Sequence, residues 1–80
     1  MQPPHDPYVA PPEYRQRWSA GNIQFRPNVP LAPSIRERAA LEMAGYYAMV
    51  ENLDHNLNRV MQALQAEGLA FNTHLMFFSD

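Results

Sequence analysis

Cysteine is absent from this chain, which excludes disulfides, thiolate metal sites and cysteine nucleophiles within it. Lysine is absent too: the six cations are all arginines, at positions 15, 17, 26, 36, 38 and 59, and they are dispersed. With a formal net charge of −2, the chain offers no electrostatic footprint for nucleic acid or for an anionic membrane surface. No apolar run approaches the ~18 residues of a membrane-spanning helix. The opening MQPPHDPY has neither the basic nor the apolar region of a secretory leader, and nothing in the composition reports a compartment. Glycine is scarce, three in all, and none builds a phosphate-cradling loop. Proline is missing after position 33.

That last absence divides the chain. Eighty residues, 46% of them hydrophobic, make one small domain or part of a larger one, with a composition ordinary for globular protein. Residues 1–33 hold all eight prolines and read as an extended, turn-rich segment in which proline repeatedly removes backbone donors. PPEYRQRW has room for one short helical turn, with Pro12 in its first turn. Tyr8, Tyr14, Trp18 and Phe25 place large apolar groups at intervals, which favours an ordered excursion lying on a body over a disordered tail.

From Ser34 the pattern becomes helical. SIRE has the form of a capping box, Ser34 with Glu37. Ala39, Met43, Tyr46, Val50, Leu53, Leu57, Val60 and Leu64 follow in steps of four and three, one apolar stripe along a helix over 34–67. Gly68 stands where a left-handed C-cap belongs. Such a helix spans about 48 Å, longer than a compact domain of this size, so the stripe calls for a partner surface that the chain does not supply. Residues 68–80 read as a turn and then a strand: HLMFF does not alternate, which predicts burial on both faces, as inside a sheet flanked by helices. The fold class read from the residues is therefore α/β: an extended Pro-rich segment, one long helix and one buried strand ending in Ser79-Asp80.

In parallel α/β sheets ligands bind beyond the carboxyl ends of strands. Asp80 stands at such an edge, placed either as a solvated carboxylate or as a ligand for a hard cation or a base. His5 lies in PPHDPY, where Pro4 and Pro7 stiffen the backbone around the imidazole and the Asp6 carboxylate; it reads either as a surface histidine or as a donor to an anion and acid–base group near neutral pH. Asp54 and His55 are adjacent on the helix and share no face, so both read as solvated surface, with Asp54 toward Arg59 one turn on. His74 is given no function. Tyr46, Tyr47 and the methionines at 43, 49 and 61 read as packing residues. No spacing supports a Ser-His-Asp arrangement.

PHDPYVAPPEY, then RPNVP, then AGYYAMVENLDHNLNRVMQALQAEGLAFNTHLMFFSD resembles, in order and over nearly the whole chain, an internal piece of the sulfatases of the alkaline phosphatase superfamily, with PHDPY most similar to the choline-sulfatase and arylsulfatase-like branch. The resemblance implies an alkaline-phosphatase-like α/β sandwich enzyme that hydrolyses small-molecule sulfate esters at a divalent metal, usually calcium, through a formylglycine nucleophile. It implies that Asp80 matches the metal-ligating aspartate of the family's strand-end SD, and that His5 matches the histidine facing the sulfate group. It also implies that the helix is structural, packing on the central sheet.

Several family features lie outside this sequence. The C/S-x-P-S-R motif that yields formylglycine is absent, and PSIR at Pro33–Arg36 is not it. The paired N-terminal aspartates and the downstream lysine are also missing. The expectation is a partial sulfatase domain, inactive in isolation. Two alternatives stand beside it: a phosphonate monoester or phosphodiester hydrolase of the same superfamily, and a module that self-associates through Tyr46, Val50, Leu53, Leu57 and Val60.

Overall fold

A computed structural model describes residues 3–79. Two α-helices are present: α1, Pro12–Arg15, and α2, Pro33–Ala66, with single 3₁₀ turns at Ala20–Asn22 and Ala70–Asn72. Helix α1 is the expected short turn, begun by Pro12 at a position where the missing N–H costs nothing.

Helix α2 begins one residue earlier than the sequence suggests. Its N-cap is Ala32, with no side-chain cap, and Pro33 is the first helical residue. The Ser34–Glu37 capping box therefore does not form: proline's fixed φ suits the first turn, so Pro33 opens the helix rather than preceding it. The far end follows the sequence. Gly68 adopts φ 68°, the Gly68 N–H donates to the Gln65 carbonyl at 3.1 Å, and the Leu69 N–H donates to that of Leu64 at 2.9 Å. This is a Schellman closure, for which glycine's lack of a Cβ is required.

The buried strand is the expectation that fails. Residues 73–79 form no strand, and no sheet exists among the described residues, whose regular structure is all helical. Nor is the segment buried: Phe77 and Phe78 are 67% and 86% exposed. The physical reason is pairing. A strand gains its hydrogen bonds from neighbours, and the described residues include no second β segment to supply them. The α/β reading is thus corrected to an all-helical arrangement with extended flanks.

Residues 3–32 wrap back along the first two-thirds of α2. The covered face is made of small residues: Ala40, Ala44, Gly45 and Ala48 are buried, with Met49 beside them. Positions 40, 44 and 48 recur one turn apart, so they line one narrow strip that lets another backbone approach closely. Ile23 packs on Ala40 and Ala44, with Trp18, Phe25, Met43 and Tyr47 around them. The start of the helix is tied down by Arg36, whose guanidinium lies 4.9 Å from the centre of the Phe25 ring and whose Nε donates to the Pro30 carbonyl at 3.0 Å. RPNVP is thereby held as a turn, closed by the Val29 N–H on the Arg26 carbonyl at 3.1 Å.

The larger apolar stripe is offset from this strip and only partly covered. Tyr46, Val50 and Val60 of the stripe are exposed, while Ala39, Met43, Leu53, Leu57 and Leu64 are half-buried. The molecule measures 53 × 26 × 23 Å, with a radius of gyration of 16.5 Å, against about 12 Å for a compact chain of this length. No described helix is long and apolar enough to cross a membrane.

Candidate active site

The Pro-rich segment is held on α2 by a matched pair of spacings. Tyr14 and Trp18 are four residues apart, as are Glu51 and His55. The two pairs meet in antiparallel order: the Tyr14 hydroxyl is hydrogen-bonded to His55 Nδ1, and Trp18 Nε1 donates to Glu51 Oε2 at 3.0 Å. Arg17 adds a second donor to Glu51 and lies 5.7 Å from the Tyr14 ring centre. The hydrogen bonds from Arg17 and then Trp18 hold the Glu51 carboxyl below its ordinary range, because both favour the charged form. His55 is exposed, as expected, and also takes part in this clamp. The spacing of Glu51 and His55, one turn apart beyond Ala44 and Ala48, is the sequence signal that finds it.

Upstream of the clamp, Tyr8 crosses α2 where the helix has no side chain. A Cβ placed on Gly45 would stand 2.6 Å from the Tyr8 carbonyl oxygen and 2.9 Å from the Tyr8 Cβ, closer than such atoms tolerate. The Tyr8 ring stands edge-on to Tyr46, centroids 5.9 Å apart. This crossing fixes the chain three residues before it, where His5 lies.

His5 Nδ1 is 2.8 Å from the Asp6 backbone carbonyl oxygen and 2.7 Å from the Asp6 carboxylate Oδ1. Both are acceptors, so Nδ1 carries the proton, and Nε2 is the ring nitrogen left for an outside partner. His5 borders a cleft of about 740 Å³ to which α2 contributes Tyr46 and Leu53, and the C-terminal segment Phe77, Phe78 and Ser79. His5 of PHDPY and Phe77, Phe78 and Ser79 of the closing stretch thus border one space across about two turns of α2. Asp80 itself lies outside the described residues, and so does its expected metal-ligand role. His74 is exposed. Arg59 directs its guanidinium to Asn56 Oδ1 at 3.4 Å, and Trp18 rests 5.1 Å from Tyr47, a packing role as read from the sequence.

The donor set can be weighed against the expected calcium ion. Calcium takes six to eight oxygens, and among the described residues no group of three or more His, Cys, Asp or Glu is placed to hold a metal. The described residues do not make a complete metal site.

Comparison with known proteins places this sequence in a family. The family model described as Sulfatase matches residues 2–80. Among curated proteins, the ulvan-active sulfatase of Formosa agariphila is 33% identical over 78 residues, covering 96% of this chain and 15% of that protein. The chain therefore spans less than a sixth of the length of the curated relative it matches. No solved structure matches the chain.

Proposed function

From the premise that this chain belongs to the sulfatase family, we propose that the protein containing it hydrolyses sulfate esters, with His5 turned to the sulfate group and Asp80 ligating a divalent metal ion, calcium. The observation that carries this reading is the shared cleft: His5 and Ser79, the neighbour of Asp80, border one space although they lie at opposite ends of the chain.

The His5 ring is set for this task by its partner. With Nδ1–H donated to Asp6, the tautomer and ring plane are fixed. Nε2 accepts in the neutral ring and donates in the imidazolium. In the charged form it offers a directed N–H to a sulfate or leaving-group oxygen, and the Asp6 carboxylate balances the imidazolium charge. A positioned acid of this kind contributes typically 10²–10⁴ in rate. The metal, when bound, would supply electrostatic stabilisation of sulfate oxygens; its other ligands and the formylglycine nucleophile belong to parts of the protein beyond these residues. Relatedness to a protein named for action on ulvan makes ulvan a substrate to test beside a simple aryl sulfate.

The test uses the complete protein. His5→Ala lowers kcat/KM for sulfate-ester hydrolysis by about 10²- to 10⁴-fold with an unchanged melting temperature, and Asp80→Asn lowers both the rate and the bound metal measured by elemental analysis. Wild-type rates in both variants would remove these residues from the site. A complete protein that turns over phosphonate monoesters or phosphodiesters in preference to sulfate esters would favour the neighbouring hydrolases of the superfamily. The 80-residue chain alone is expected to show no turnover above an Asp80→Ala control, since sulfate-ester cleavage needs an activated nucleophile that it lacks.

A further inference from the structure

His5 reaches its cleft on a short arm whose pivot is a single backbone contact. The arm runs from Tyr8, where the chain crosses α2, through Pro7 and Asp6 to the imidazole. At the crossing the Tyr8 carbonyl oxygen and Cβ occupy the space that any side chain at Gly45 would fill, 2.6 Å and 2.9 Å from the missing Cβ. Gly45 lies in the middle of α2 with ordinary helical neighbours, a place where glycine is disfavoured by its backbone freedom. Conformation does not require it there, because the only left-handed glycine among the described residues is Gly68. What requires it is the approach of Tyr8. The next residue, Tyr46, receives the Tyr8 ring edge-on and also borders the cleft that holds His5, so one helical turn both carries the pivot and lines the site.

We propose that Gly45 is a positioning residue for His5: its lack of a side chain seats Tyr8 on α2 at the depth that sets the imidazole against the cleft. This rests on the reading of His5 as the sulfate-facing group. A methyl group at position 45 must push the Tyr8 backbone outward, since the obstructing atoms are main-chain oxygen and Cβ rather than the end of a flexible side chain. Proline at position 7 limits how the arm can absorb that shift, and the displacement reaches His5. Misplacement of a reacting group by about 1 Å costs on the order of 100-fold in rate.

The experiment is a double-mutant cycle in the complete protein, read as kcat and KM on the sulfate ester it turns over best. Gly45→Ala is expected to lower kcat 10- to 100-fold. His5→Ala lowers it further, and Gly45→Ala added to His5→Ala is expected to cost nothing more, because the two act through one group. Ala44→Gly, which loosens the same helix against Ile23 and not against Tyr8, controls for stability: it is expected to lower the melting temperature at little cost to kcat. Should Gly45→Ala fail to fold, Tyr8→Ala loosens the arm by removing the ring from Tyr46, and is expected to show the same dependence on His5. Additive losses, or full activity in the Gly45→Ala protein, would overturn the positioning role while leaving His5 in place. A His5→Ala protein with wild-type kcat would instead overturn the reading of the site itself.

Discussion

At the scale of single residues, Glu51 shows how a half-buried position on a helix becomes a tether. Its carboxylate accepts from Arg17 and from the Trp18 indole at 3.0 Å, and both donors stabilise the charged form, so its folded-state pKa is depressed. A depressed carboxyl contributes stability that is present above its ordinary titration range, near 4.3, and is lost as pH falls through the lower folded value. The Pro-rich wrap is therefore expected to loosen in acid below about pH 4. Glu51→Gln keeps the shape and an acceptor for Trp18 but removes the charge, and it should flatten that acid limb. Thermal melts of wild type and variant at pH 7 and pH 3 measure the difference: the gap between the proteins should be present at pH 7 and narrower at pH 3. An equal gap at both values would show that the Arg17 and Trp18 contacts carry no charge-dependent stability.

At the scale of elements, α2 was legible almost to the residue, and the reason lies in its local signals. A long run with period 3.6 and a glycine at the stop encode a helix without help from the rest of the fold. Gly68→Ala is expected to destabilise this terminus by about 1 kcal/mol, the cost of a Cβ in the left-handed region, measured as a lowered melting midpoint. The start was misassigned by one residue because Ser34 and Pro33 both carry initiation signals, and proline's fixed φ prevailed. The covered face was not legible for a different reason. Ala40, Ala44 and Ala48 carry little hydropathy, and their burial follows from what lies across from them, which a single-chain pattern does not report. The strand over HLMFF was misread because apolar content alone encodes a strand only where a neighbour completes its hydrogen bonds. Of the candidate site, PHDPY and the strand-end SD were singled out in the sequence, and the structure brings the first against Ser79. Gly45 left no signal of its close approach to Tyr8, and Glu51 and His55 left only their one-turn spacing, since each contact depends on the partner that crosses it.

At the scale of the whole molecule, the exposed surface is 6851 Å², against about 4,900 Å² for a compact monomer of this mass. Much of the excess is apolar: Val60 and Met61 on α2, then Leu75 to Phe78 in the last segment. Patches beyond a few hundred Å² rarely stay bare in water. The 80-residue chain by itself is accordingly expected to associate, and sedimentation velocity across a hundredfold range of concentration should show a rising mean mass; a constant monomer mass would contradict it. The antiparallel match of Tyr14 and Trp18 with His55 and Glu51 carries a consequence for how this rod can change in length. Adding or deleting one residue between Ala48 and Glu51 turns everything beyond by about 100°, swinging both grips away from their partners at once. Related chains can therefore lengthen or shorten this stretch only in near-whole turns, so that gaps of three, four or seven residues keep the phase and gaps of one, two or five destroy it.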